Sequence, residues 1–312
     1  MKRFILKTVL LILPIVILAV VMEYSLRQIP NDYVHKKNYL DRHAGEIQVL
    51  LLGASYAYFG LNPVYFLQNT FNASHISQSL DMDLAIFNKY RNNMDSLKVV
   101  VLPMSYVTLW SNLASGEENW RLKNYTLYYG IEGKSLKNYS ELLSNKFSIN
   151  LRRLYEYYFQ NKSEITGSKL GWGTTFKSEN AVDLQESGKI AAKRHTVNDI
   201  FSEKNTKIFE ENLKILNSFF EFCNQRNIKL IFLATPTYYT YRENLDAEQL
   251  NKMVETMNDF IKNHPNTYYF NWMDDPDFVA KDFFDANHLN EIGAEKLSKR
   301  VAEELASMKN NP

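Results

Sequence analysis

Three short apolar runs constrain this chain more than any other feature: Ile47–Leu52, Val99–Leu102 and Leu230–Ala234. Each is too short for a buried helix, and each ends at a chain breaker: Gly53, Pro103, or Thr235 followed by Pro236. Continuous rather than alternating apolar character predicts strands covered on both faces. Tyr268–Asn271 is a fourth candidate strand. Segments of helical periodicity lie between and after the runs, at Asp81–Arg91, Lys207–Arg226, Ala247–Asn263 and Glu291–Met308. Buried strands alternating with amphipathic helices predict a three-layer α/β/α sandwich with a mostly parallel sheet. With 45% hydrophobic and 23% charged residues, the chain has enough apolar material for such a core. A net charge of +1 gives no electrostatic basis for nucleic acid as a partner.

The N-terminal end follows a different rule. Residues 1–22 begin Met1-Lys2-Arg3, and from Thr8 to Met22 no residue is charged. A bilayer core takes about 20 apolar residues, a length Phe4–Met22 reaches if Lys7 extends to the interface. A cleaved signal peptide shares the basic start, but Ala19-Val20-Val21 is a poor cleavage site. The expectation is an uncleaved single-pass anchor in the cytoplasmic membrane, with the remainder exported to the periplasm or cell surface. Residues 23–45 read as a linker with a helical start, and 46–312 as the main domain. Residues 109–198 interrupt that domain's rhythm with Tyr, Asn, Lys and Ser, which predicts an inserted lid or substrate-binding region.

Candidate chemistry sits at the two ends of the main domain. Ser55 follows the first apolar run and Gly53, so it lies at the carboxyl edge of the sheet, where open α/β folds bind ligands. Asp285 and His288 precede Asn290, a good N-cap for the last helix. An aspartate three residues before a histidine can accept from one ring nitrogen and leave the other to take a hydroxyl proton. A serine hydroxyl needs such a base to become a nucleophile.

The chain resembles the SGNH, or GDSL, hydrolase superfamily over roughly residues 46–308. The resemblance is carried by Leu52-Gly53-Ala54-Ser55, by Tyr58-Phe59-Gly60-Leu61-Asn62-Pro63, and by Asp282-Phe283-Phe284-Asp285-Ala286-Asn287-His288-Leu289-Asn290. It is most similar to the membrane-anchored bacterial branch linked to O-acylation of cell-surface polysaccharide. Ala54 replaces the usual acidic residue before the serine. The resemblance implies Ser55 as nucleophile, His288 as general base and Asp285 as its orienting partner. It also implies oxyanion donors: the Ser55 N–H, a donor near Ser77 or Gln78 where the family has a glycine, and Ser105 where it has an asparagine. His195 is a further candidate for substrate contact.

By this reading the chain is an ester hydrolase or O-acyltransferase working through an acyl-serine, without metal or cofactor. Its substrate would be O-acetylated envelope polysaccharide, with a multi-span membrane acyltransferase as a possible partner. A catalytically inactive polysaccharide-binding or assembly protein of the same fold is the alternative. Other features invite weaker readings. Asp274, Asp275 and Asp277 lack the glycine and distal glutamate of a calcium loop and read as turn residues. Trp172 and the pairs Tyr128-Tyr129, Tyr157-Tyr158 and Tyr238-Tyr239 could stack on sugars or simply pack. His75 reads as a core histidine. Cys223, the single cysteine, reads as a small buried hydrophobe.

Overall fold

The computed structural model describes residues 1–133 and 135–308. All four sequence-predicted strands are present: β1 (Val49–Leu51), β3 (Val99–Pro103), β4 (Lys229–Ala234) and β5 (Thr267–Asn271). A strand that the apolar pattern did not reveal, β2 (Thr70–Asn72), pairs beside β1. Its three residues hold a single apolar side chain, Phe71, so it has too little pattern to read. The sheet order is β2-β1-β3-β4-β5, with every pair parallel. Val49, Leu51, Val99, Val101, Ile231 and Leu233 share one core with Leu297, Val301 and Leu305 of the closing helix. The alternate residues Leu50, Val100 and Phe232 are equally buried. On that side Phe232 meets Phe260 at 5.5 Å, and Phe87 meets Phe219 at 5.0 Å. Apolar side chains on both faces explain the unbroken runs, and each large one buried contributes about 1.5–3 kcal/mol. The architecture is the expected α/β sandwich, with an apolar N-terminal helix.

The helices fall close to their expected bounds: Leu80–Tyr90, Glu203–Gln225, Ala247–Asn263 and Glu291–Ser307. Asn290 caps the last of these, accepting from the Ile292 and Gly293 N–H groups at 2.9 and 3.1 Å. A short antiparallel hairpin, β6 (Phe283–Asp285) and β7 (His288–Leu289), precedes it. Cys223 is buried with a free thiol, which burial pushes up to about 12. His75 is buried as well.

The chain divides into two compact units. The larger comprises Asn38–Gly116 and the chain from Thr166 onward, and contains the sheet. The smaller comprises Met1–Lys37 and Glu117–Ile165. Within the smaller unit a single helix runs from Lys2 to Arg27. At about 1.5 Å per residue its 26 residues reach roughly 39 Å, and none of its most apolar stretch is buried inside the protein. The 23–45 stretch, expected as a linker, holds the end of this helix and a second one, Asp32–His43. Glu23 caps the helix Glu141–Ser144, accepting from the Ser140 hydroxyl at 2.8 Å and the Glu141 and Leu142 N–H groups at 3.1 and 2.9 Å. Buried Glu141 pairs with Lys123 and, at 2.6 Å, with Arg153. The sequence between 109 and 198 is therefore not one insertion: 117–165 packs with the N-terminal helix, and 166–198 packs into the sheet-bearing unit.

Candidate active site

Ser55 opens the short helix Ser55–Gly60 directly after β1. β1 lies between β2 and β3, the point where the strand order reverses, so its carboxyl end opens into the sheet's crevice. The turn depends on Gly53, whose φ of +106° is a region that L side chains rarely adopt. A Cβ there would lie 3.0 Å from Pro103 Cδ. The turn is held from behind by Asp83, whose Oδ1 accepts from the Gly53 N–H and from Gln78 Nε2, both at 2.6 Å. Burial raises the Asp83 carboxyl to about 7, against the lowering effect of those two donors.

Asp285 and His288 face each other across the β6–β7 turn. The Asp285 Oδ1 accepts from the Asn287 and His288 N–H groups at 3.0 and 2.8 Å, which fixes the carboxylate before the ring is considered. The His288 Nδ1 lies 3.0 Å from each Asp285 oxygen. A carboxylate can only accept, so Nδ1 carries the proton and Nε2 is left with its lone pair. Nε2 lies 2.8 Å from Ser55 Oγ. Burial works to raise the Asp285 carboxyl, but the His288 ring and the two backbone donors outweigh it and hold the group below its ordinary value. Two residues separated by 233 positions thus meet in one Ser–His–Asp relay.

Aromatic rings enclose the imidazole. Tyr56 stacks on His288 at 5.1 Å and 18°. Phe176 and Phe59 meet it edge-on at 5.5 and 6.3 Å. Phe176 is itself stacked between Phe59 and Phe284, at 3.6 and 3.8 Å. His288 is left 10% exposed, so its hydrogen bonds lie next to low-dielectric walls where each counts for more. Tyr56 and Phe59 lie one and four residues after Ser55, and Phe284 and Asn287 sit inside the Asp282–Asn290 motif. These four were within reach of the sequence. Phe176 had no local signal.

The remaining site expectations fare differently. His195, the candidate for substrate contact, is half-buried. Its Nδ1 lies 2.9 Å from the Tyr241 hydroxyl and 3.5 Å from that of Tyr56. Burial, with Arg194 and His288 nearby, pushes its ring down to about 3, so it stays neutral. Burial also raises the Tyr56 and Tyr241 phenols, so both stay protonated. Asn287 Nδ2 reaches the Tyr56 hydroxyl at 3.5 Å. His195 therefore belongs to a polar layer behind Tyr56.

Gln78 departs from its expected role as an oxyanion donor. Its backbone N–H donates to the His75 carbonyl at 3.2 Å, and its side-chain amide serves Asp83. It supports the turn that precedes Ser55. Ser77 occupies the same turn at φ 58°. The Ser105 hydroxyl lies 2.8 Å from Thr108 Oγ1, and Ser105 lines a void of about 10 Å³ with Tyr56, Thr235 and Tyr241. The Ser55 N–H is among the first amides of its helix, which have no intrahelical acceptor.

The larger open cavity, about 630 Å³, is lined by Tyr65, Trp172, Lys177, Glu291 and Glu295 rather than by the triad. Trp172 Nε1 donates to the Phe59 carbonyl at 2.7 Å, which gives the indole a packing role. Tyr128 donates to Glu141, and Tyr238 packs on Phe283 at 5.7 Å. Asp274 pairs with Arg242, and Asp275 and Asp277 pair with Arg300.

No family model and no curated protein sequence matches the chain. Among solved structures it is similar to one from Streptococcus pneumonia provisionally described as a platelet activating factor, at 9% identity and a TM-score of 0.44, covering 95% of this chain and 98% of that one. It is also similar to a GDSL-like lipase from Bacteroides thetaiotaomicron, at 12% identity and a TM-score of 0.41, covering 88% and 99%. A third likeness is to a Bacteroides fragilis structure provisionally described as an acylhydrolase, at 10% identity and a TM-score of 0.39, covering 86% and 96%. The chain itself has a mostly parallel α/β sheet and brings Ser55, His288 and Asp285 together at one sheet edge.

Proposed function

We propose that this protein is a serine-dependent ester hydrolase or O-acyltransferase working through an acyl-Ser55 intermediate. One observation carries the reading: Ser55 Oγ lies 2.8 Å from His288 Nε2, while both Asp285 oxygens hold the opposite ring nitrogen at 3.0 Å. Proton transfer by a positioned base needs about this distance.

In the first half-reaction His288 Nε2 takes the Ser55 proton as Oγ attacks the ester carbonyl carbon. Asp285 stabilises the imidazolium that forms. The negative charge gathers on the former carbonyl oxygen, where the Ser55 N–H is the donor at hand. Collapse breaks the bond to the leaving alkoxide, which takes the proton from His288. In the second half an acceptor hydroxyl gives its proton to His288 and attacks the acyl carbon, and on collapse the bond to Ser55 Oγ breaks as His288 returns that proton to it. Water as acceptor makes an esterase, and a sugar hydroxyl makes an acyltransferase.

The substrate class in this reading is O-acetylated polysaccharide of the cell envelope. It is supported by the 26-residue apolar N-terminal helix, which suits a membrane anchor, and by the family resemblance of the motifs. A multi-span membrane acyltransferase would be the natural source of acyl groups. The test is to incubate the full chain with an aryl acetate and follow acetyl by mass spectrometry. The reading expects acetyl on Ser55 that is lost to water as free acetate or is passed to an added acceptor glycan. A folded protein that neither carries acetyl on Ser55 nor releases acetate in a Ser55-dependent way overturns it.

A further inference from the structure

The unit built from Met1–Lys37 and Glu117–Ile165 carries a second apolar surface beside the N-terminal helix. Helix Phe147–Gln160 has two distinct faces. Its inner face holds Asn150, which donates to the Leu142 carbonyl at 3.2 Å, and Arg153, which pairs with Glu141 and Glu164. The outer face carries Phe147, Leu151, Tyr155 and Phe159, one every four residues, with 58%, 46%, 55% and 78% of their surfaces exposed. That spacing aligns them in a single stripe along the helix. Helix surfaces that meet water are polar, and contiguous exposed apolar residues mark a surface with a partner.

The position of the stripe identifies the partner. Tyr158, beside it, donates its hydroxyl to the Ser25 carbonyl at 3.2 Å, close to where the N-terminal helix ends. Arg27 donates to the Tyr139 carbonyl at 2.7 Å, and Glu23 caps the neighbouring helix, so this end of the apolar helix is fastened to the same surface. The stripe thus continues the apolar outside of the N-terminal helix at the level where that helix would leave a bilayer. Lys146 and Arg152 are exposed beside and on the helix. Aromatic and aliphatic side chains bordered by cations at this depth match an interfacial helix, and the cations would attract anionic headgroups.

We propose that Phe147–Gln160 is a membrane-interface helix, its outer stripe seated in the headgroup and upper acyl region of the bilayer the N-terminal helix crosses. This rests on reading that helix as an anchor. It gives the chain two lipid contacts, one spanning and one lying flat, and so fixes the tilt of the small unit against the membrane plane.

The test uses the full chain in vesicles of phosphatidylethanolamine with a minority of phosphatidylglycerol, carrying one nitroxide at a time. The sites are Leu151→Cys and Phe159→Cys on the stripe, Lys162→Cys beyond the helix, and Leu13→Cys within the apolar helix. Native Cys223 is buried and leaves the labelling to the introduced thiol. Collisions with oxygen, which concentrates in lipid, are compared with collisions with a water-soluble nickel chelate. The proposal expects an oxygen-to-nickel ratio at both stripe sites several-fold above that at Lys162→Cys. Stripe labels open to nickel, with the Leu13→Cys label in lipid, overturn the proposal and leave the anchor standing. Stripe labels shielded from both reagents mean a second copy covers the face, and this too overturns it. A Leu13→Cys label open to nickel removes the anchor reading and the proposal with it.

Discussion

Asp83→Ala removes one oxygen that two buried donors share, the Gly53 N–H and the Gln78 amide, each 2.6 Å away. A buried donor left without an acceptor costs about 1–3 kcal/mol, so the pair should cost about 2–6 kcal/mol. At about 2–4 °C per kcal/mol for a unit of this size, the melting temperature should fall by at least about 4 °C. Asp83→Asn keeps a carbonyl oxygen in place and should lose far less. The two variants also separate by pH. Burial raises Asp83 from 3.8 to about 7, so between those values the folded protein keeps a proton that the unfolded chain has released. Stability contributed by this group therefore falls as pH rises through that window, by about 4 kcal/mol in total. His195 acts in the opposite sense: its ring, pushed from 6.5 to about 3, contributes stability above 6.5 that is lost as pH falls toward 3. The readable quantity is thus the difference between wild type and Asp83→Asn, which leaves His195 untouched. The assay is thermal melting in mild detergent, followed by tryptophan fluorescence across mildly acidic to neutral pH. Wild type should lose ground to Asp83→Asn as pH rises. A flat difference, or an alanine variant that melts with wild type at neutral pH, refutes the assignment of Asp83 as the support of the nucleophile turn.

Asp285→Asn should keep the hairpin but present the wrong ring nitrogen to Ser55, lowering ester turnover by about 10³–10⁴-fold with substrate binding little changed; steady-state kinetics on an aryl ester check it. Gly53→Ala must hold a Cβ at φ +106° and 3.0 Å from Pro103 Cδ, which should cost about 1–3 kcal/mol and reduce turnover, read from melting and the same kinetic assay.

The sheet and the triad were legible for one reason: both are written in local pattern. Val99–Pro103 and Lys229–Ala234 are buried on two faces, so each shows as an unbroken apolar run. Ser55, Asp285 and His288 each sit at an element boundary marked by Gly53 or Asn290. What stayed hidden is set by contact across the chain. β2 survives as a strand because Phe71 and its neighbours add to β1, not because Thr70-Phe71-Asn72 prefers to extend. Gln78 could not be read as a support for Asp83, because the pairing becomes visible only when the turn after β2 meets the helix Leu80–Tyr90. Phe176 reaches His288 from a segment with no pattern of its own. The 109–198 stretch read as one insertion because composition is uniform across it, whereas packing divides it near residues 117 and 165.

The central claim is that Ser55 is a nucleophile activated by His288, and a fluorophosphonate tests it most directly. Phosphorus captures only a serine oxygen whose proton has a nearby base. Intact-mass and peptide analysis of the full chain should find one adduct, on Ser55, that disappears in both Ser55→Ala and His288→Ala. A folded chain that takes up no phosphonate, or an adduct that persists when Ser55 is replaced, contradicts the account.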